Sequence, residues 1–420
     1  MRLFIFSLML AVLTAGPALA AELSLPDCLA MARRHNPTLT SAAHNTTIAR
    51  EAMVQAKSGY LPKVDLDAGY RAQNNAQSAK VAGGATMQTQ NQNFPYLDVG
   101  AEQVLYDFGR TKNLLTQAKD VARATSYNYA NLEQGIFLRT VTAYYQILTI
   151  EKLQKAASEE VKQMTEHLRI ARDLYDQGMV TRNDVLQAQV KLAGSKQLLL
   201  SRQNQFENSW RTLDYLIGRP ATARGTLEET LQKEPEAAPP AKAVAHRPDL
   251  KAQQLLVAKS AAAVKSSRSD YYPVLFLRGD INYLKNDYVT QQTIYSATIG
   301  LKVNLFDGNV TTSRLRQAVQ EETRDRDRLR DLQDQAVLEY QNARNDAQVA
   351  HQRIAVAAQA IKQAEENLRI NENRYRENVG TGTDVIDAQT LLTQTRTDYD
   401  QALFDYQVAI ARIKKAAGEL

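Results

Sequence analysis

The sequence predicts a mixed fold. Amphipathic strands of a membrane β-barrel are joined to an all-α part of very long helices, and the whole unit occurs twice. Three observations predict it. The first twenty residues read as an export signal. The two halves of the remaining chain align with each other. Each half carries two period-two segments ahead of an unusually long helical pattern.

The export signal comes first. Arg2 supplies the positive start, residues 3–13 are an apolar run, and Ala18-Leu19-Ala20 is a small-x-small cleavage site, so residues 1–20 read as a signal peptide. Beyond it no stretch reaches about 18 apolar residues, which excludes a transmembrane helix. If the chain enters a membrane, a closed β-barrel is the structure that remains, because lipid cannot satisfy an open sheet edge. Cys28 is the single cysteine, and Leu25-Pro26-Asp27 before it do not make a lipoprotein box. A lipid anchor, a disulfide framework and a thiolate metal cluster are therefore not expected. The formal net charge of +5 comes with both signs interspersed and no basic cluster interleaved with aromatics, so nucleic acid is not an expected partner. Five scattered histidines give no metal-ligand spacing, and no cofactor is expected. Asp107-Phe108-Gly109 and His246-Arg247-Pro248-Asp249 look like kinase fragments, but no Gly-rich loop or strand lysine accompanies them and export excludes ATP chemistry. No nucleophile–base pair stands out, so the chain does not read as an enzyme.

The repeat comes next. His35-Asn36-Pro37-Thr38-Leu39 matches His246-Arg247-Pro248-Asp249-Leu250, and Tyr60-Leu61-Pro62 matches Tyr271-Tyr272-Pro273, at an offset of 211 residues. Leu105-Tyr106-Asp107 matches Leu305-Phe306-Asp307, and residues 184–189 match residues 384–389, at an offset of 200. The first copy thus carries eleven extra residues between Tyr70 and Val99. The first repeat is placed at 21–218 and the second at 246–420, each closing on a glycine, Gly218 or Gly418. Residues 219–245, with Pro235, Pro239 and Pro240, read as the linker between them.

Within a repeat the elements follow in order. An opening helix spans 25–58 or 241–269 and is stopped by a proline. A β-hairpin follows, at about 61–107 or 273–306. Val64, Leu66, Ala68 and Tyr70 alternate with charged neighbours. Tyr295, Ala297, Ile299, Leu301, Val303 and Leu305 alternate with Ser296, Thr298, Lys302 and Asn304. That is one apolar and one polar face, at about the 9–11 residues a tilted membrane strand needs. Aromatics crowd the strand ends: Tyr60, Tyr70, Tyr106, Phe108, Tyr272, Tyr283 and Phe306 fit interfacial girdles in contact with outer-membrane lipid. Aromatics are also good strand formers. The export signal and the polar opposite face favour the girdle. The loop 72–94 is long and polar, whereas 285–293 is short. A long helix then runs over about 110–175 or 310–377, roughly 100 Å at 1.5 Å per residue, and a second helix returns over about 182–217 or 383–418 with a coiled-coil seam. Two hairpins per chain cannot close a pore, so a cyclic homo-oligomer is the simplest assembly.

The His-Asn-Pro opening, the Tyr-Leu-Pro stop, the Tyr-Asp-Phe-Gly turn and the Gly…Thr…Asp-Val-Leu/Ile-x-Ala-Gln tip resemble the TolC family of outer-membrane factors. The likeness covers both halves of the mature chain. It implies a homotrimer with a shared twelve-stranded barrel continued by a long periplasmic α-helical barrel. It further implies a location in the outer membrane of a Gram-negative bacterium. The implied role is a passive exit duct of tripartite efflux or type I secretion systems. The implied partners are a periplasmic adaptor (membrane fusion) protein and an inner-membrane transporter of the RND, ABC or MFS class. One departure concerns the tip: Gly382 stands where the archetype carries an arginine that helps hold the entrance shut.

Site residues follow from this frame. The turns at 176–181 and 378–383 would form the periplasmic mouth, roughly 100 Å from the strands by helix rise. Asp384 and Asp387 are three apart on one helix face, and by resemblance they match the family's constricting acidic ring. Such a ring favours cations. Asp184 is the first-repeat counterpart of Asp384, while Gln187 replaces Asp387. Asp384 also suits the start of its helix, with Thr383 read as the N-cap, and both roles stand. Gly178, Val180, Thr181, Gly380 and Thr381 are candidate adaptor contacts, although glycines are also ordinary helix-hairpin chemistry. A second reading stays open, a periplasmic coiled-coil scaffold or adaptor without a pore. It explains the helices but not four amphipathic strands with aromatic ends.

Overall fold

The computed structural model describes residues 22–220, 225–377 and 379–420. The signal peptide 1–20, Asn378 of the second tip and part of the 219–245 segment lie outside them. In chain order the elements are α1 (Leu25–His35), α2 (Pro37–Lys57), β1 (Lys63–Ala72), β2 (Ser78–Lys80), β3 (Thr86–Gln88), β4 (Asn93–Tyr106), α3 (Arg110–Asp176) and α4 (Arg182–Ile217). After a single helical turn, α5 (Pro240–Ala243), come α6 (Pro248–Ser269), β5 (Val274–Leu284), β6 (Thr293–Lys302), α7 (Val310–Arg376) and α8 (Gly382–Ala417). Among the described residues no helix is long and apolar enough to cross a membrane. The chain folds as two compact units, one of residues 41–131 and 245–337, the other of the described residues before 41 with 132–244 and 338–420.

The first of these units holds an antiparallel sheet in the order β1-β4-β5-β6. Its register explains the alternation. One row runs Leu66↔Val99↔Ile281↔Tyr295, another Val64↔Ala101↔Gly279↔Ala297, and Leu277 pairs with Ile299. Residues in such a row share a face, so these rows make one apolar surface across all four strands. That surface is bare: Leu66 is 66% exposed, Tyr295 75% and Ile299 72%. A soluble sheet would bury it, at about 1.5–3 kcal/mol per side chain. The other face carries Lys63↔Glu102↔Arg278↔Thr298, Asp65↔Gly100↔Asp280↔Ser296 and Asp67↔Asp98↔Asn282. Its charges are tied locally. Asn282 donates to Asp98 at 3.0 Å, and Arg278 to Asp280 at 2.9 Å. The outermost strands β1 and β6 each keep one edge unpaired among the described residues.

The long loop of the first hairpin is not structureless. It contains the β2–β3 ribbon, and it is stitched to the β5–β6 loop. Buried Asn286 donates to the Thr89 carbonyl at 2.9 Å, and Asn91 donates to Asp287 at 2.8 Å. The strand-to-helix turns of the two repeats solve one backbone problem with different residues. Phe108 (φ 53°) and Gly109 (φ 89°) are left-handed in the first repeat; Gly308 (φ 67°) and Asn309 (φ 69°) take those places in the second. Phe108 is held there by stacking on Tyr272, with ring centroids 4.9 Å apart, and by the Ser269 hydroxyl donating to its carbonyl at 3.0 Å.

The other unit shows why the His-Asn-Pro motif matters. The expected opening helix 25–58 is broken at Asn36, because Pro37 cannot donate and disfavours a helical residue before it. Asn36 is 1% exposed. Its amide donates to the Leu216 carbonyl at 2.9 Å and accepts from the Thr38 and Leu39 amides at 3.0 and 3.3 Å. One side chain therefore caps α2 and ties down the end of α4. Gly218 ends α4 at φ 66°, so close to this corner that a Cβ would lie 2.6 Å from the His35 carbonyl. Residues 226–234 lie as a strap over the core. Leu23 bridges Leu227, the Tyr144 hydroxyl donates to the Glu228 carbonyl at 2.5 Å, and Tyr145 donates to that of Thr230 at 2.8 Å. Arg344 and Tyr406 both hold Glu234, at 2.8 and 2.6 Å.

Candidate functional site

Both helix hairpins carry the same cross-turn hydrogen bond at their ends. The Met179 amide donates to the Leu174 carbonyl at 2.8 Å, and the Val379 amide to that of Arg374 at 2.9 Å. A threonine then caps the returning helix. The amides of Thr181 and Thr381 donate to Asp184 Oδ2 and Asp384 Oδ2 at 2.8 and 2.9 Å, while the threonine side chains face the third helical residue in return. These are capping boxes, worth about 1 kcal/mol each. The N-cap of α8 is thus Thr381 and not Thr383, which lies inside the helix. The box needs cap and acid three residues apart, and Thr381-Gly382-Thr383-Asp384 supplies that spacing.

The carboxylates are tuned by these bonds. The backbone amide of Thr381, then its hydroxyl, hold the Asp384 carboxyl below its ordinary range; for Asp184 the Thr181 hydroxyl comes first and the amide second. Asp387 lies one turn further along α8. It is exposed and makes no hydrogen bond or ion pair among the described residues. The acidic candidates therefore separate. Asp184 and Asp384 are bound to their own turns, whereas Asp387 has no such partner among the described residues.

A groove of about 990 Å³ opens between the two tips. Val180, Thr181 and Asp184 line it from the first repeat, Gly380 and Thr381 from the second. Gly178, Asp384 and Asp387 stand outside its lining. Its floor is apolar, with Met164, Ile170, Leu174, Val385 and Ile386. Two further lining residues, His167 and Tyr375, carry no signal in the sequence, because they enter only when the two hairpins lie side by side.

In the strand-bearing unit the candidate aromatics fall at both ends of the sheet. Tyr60, Tyr106, Phe108, Tyr272 and Phe306 flank the helix-proximal ends, and Tyr106, Phe108 and Tyr272 form a continuous ring contact. Tyr70 and Tyr283 sit near the loop ends of β1 and β5. Phe306 is 83% exposed, which no soluble packing explains.

The model of the outer membrane efflux protein family matches residues 28–219 and 240–419. The chain belongs to the outer membrane efflux protein family. The outer membrane protein TolC of Vibrio cholerae is 24% identical to it over 419 residues, which is 97% of this chain and 93% of that protein. The efflux protein BepC of Brucella suis is 24% identical over 425 residues, 98% and 89% of the two. Among solved structures, the outer membrane protein VceC of Vibrio cholerae matches with a TM-score of 0.83 at 19% identity, covering 94% of this chain and 96% of that one. This efflux-family chain accordingly has a TolC-like architecture and resides in the outer membrane of a Gram-negative bacterium with a long periplasmic helical part. It is an outer-membrane exit duct of efflux or secretion systems. The family is one of channel and transport proteins, and TolC-like channels are trimers that work with adaptors and inner-membrane transporters.

Proposed function

We propose that three copies of this chain close one barrel, β6 of each protomer pairing with β1 of the next, and that the duct so formed is passive. The observation that carries this reading is the sheet itself: a largely exposed apolar face, a polar opposite face and two edges open among the described residues. Lipid can cover the face. The edges cannot stay open in hydrocarbon, where each unsatisfied group costs several kcal/mol.

The tips are the periplasmic mouth in this reading. Under threefold symmetry Asp387 and Asp384 become rings of carboxylates that favour cations, and Asp184 adds a weaker ring from the first tip. The tip groove, with Val180, Thr181, Gly380 and Thr381 on its walls and Gly178 at its rim, receives an apolar hairpin of a periplasmic adaptor. Energy comes from an inner-membrane RND, ABC or MFS transporter. The aromatics Tyr60, Tyr70, Tyr106, Phe108, Tyr272, Tyr283 and Phe306 anchor the barrel at the two lipid interfaces. Fractionation with heat-modified electrophoresis tests the assembly, and planar-bilayer recording tests the pore. The expected result is a heat-modifiable trimer in the outer-membrane fraction that conducts ions. Recovery in the soluble periplasmic fraction without conductance would instead support the coiled-coil scaffold.

A further inference from the structure

The tip groove is lined by a histidine that neither the caps nor the acidic ring uses. His167 projects from α3 and is half-buried against the start of α8. Gly382 is the first residue of α8 and is helical, so its backbone does not require glycine, in contrast to Gly178 with φ 73°. What the missing side chain gives is room. A Cβ on Gly382 would lie 3.2 Å from His167 Cε1 and 3.7 Å from Tyr375 Cε2. At the matching position the first repeat has Arg182, so the seat exists in the second tip alone.

We propose that His167, seated on Gly382, is a pH-sensitive latch that holds the start of α8 against α3, and that its protonation releases the second tip. This rests on reading the tips as the mouth of the duct. A neutral imidazole packs against Gly382 and the Tyr375 ring, whereas an imidazolium in that half-buried place would be only partly hydrated. The titratable groups facing the groove are Glu166 from α3, Asp184 from α4, and Glu372 and Tyr375 from α7; α8 contributes none. Burial of the ring lowers the His167 pKa from its ordinary 6.5. The sign follows. A base whose pKa is lower in the closed form loses closed-state stability as pH falls below the ordinary imidazole value, so the latch is intact at neutral pH and weakens in acid.

The test is planar-bilayer recording of the purified full-length mature protein at neutral and mildly acidic pH, with three forms compared. Wild type is expected to gain conductance several-fold on acidification. His167→Gln, uncharged and still a trimer by heat-modified electrophoresis, is expected not to respond. Gly382→Val, which evicts the imidazole, is expected to conduct at both pH values. An acid response in His167→Gln equal to wild type overturns the latch, as does a wild type indifferent to pH. If no form conducts at any pH, the duct reading fails and the latch with it.

Discussion

The two tips share a capping box and one cross-turn hydrogen bond and carry different chemistry. Both use a threonine and an aspartate three residues later as a capping box, and both close through the same five-residue amide-to-carbonyl bond. Beyond that they diverge. The first tip has Gly178 in the left-handed region, Arg182 at the start of its helix and Gln187 one turn in; the second has Gly382 and Asp387 in the last two of these places. Duplication has kept what folds the turn and varied what the turn presents. The difference also splits two acids that look alike in sequence. Asp384 has a structural partner, and Asp387 has none among the described residues.

The widest gap between the tips should appear in block by multivalent cations. Replacing both Asp384 and Asp387 with asparagine should largely abolish it, while Asp184→Asn should change it little, as measured by titrating a trivalent cation against single-channel current. Equal effects would make the two tips equivalent at the mouth. Next in size is the glycine contrast. Gly178→Ala should cost about 1 kcal/mol, because its φ of 73° suits a side chain poorly. Gly382→Ala should cost nothing through its backbone and should act through the displaced imidazole. Thermal unfolding separates the two, provided the oligomer is held at one concentration.

The fold was largely legible because it is periodic. Val64-Asp65-Leu66-Asp67-Ala68 alternates as a strand with one wet and one lipid-covered face must, and a two-residue period survives without neighbours. Long helices without proline are as plain. The site was legible only in outline. Thr383, directly before Asp384, looks like a cap, but the box spacing selects Thr381, a signal already present in Thr181-Arg182-Asn183-Asp184. The break at Asn36 was available from the Asn-Pro step. The β2–β3 ribbon was hidden by its three-residue strands and polar composition. His167 was hidden for a different reason: its role depends on two hairpins meeting, and residues 167 and 382 share no local pattern.

Smaller effects test the shared part of the turns. Thr181→Ala and Thr381→Ala should each destabilise the start of the returning helix by about 1 kcal/mol, and by the same amount in both tips, as read from local hydrogen exchange. Unequal losses would break the equivalence of the caps. Acid should act on both caps alike. The Asp184 and Asp384 carboxyls are held below their ordinary 3.8, so cap stability is present above that value and is lost as pH falls through the lowered ones. Protection of the two tips should therefore fade together below about pH 4, and the Asn variants should lose that pH dependence.

In the proposed duct the second tip sets the charge of the conducting mouth. This is tested most directly by the reversal potential of single trimers in a planar bilayer under a salt gradient, with wild type, Asp387→Asn and Asp184→Asn compared. A cation-selective wild type is expected, with a marked loss of selectivity in Asp387→Asn and near wild-type behaviour in Asp184→Asn. Unchanged selectivity in Asp387→Asn, or a loss in Asp184→Asn as large, would contradict it.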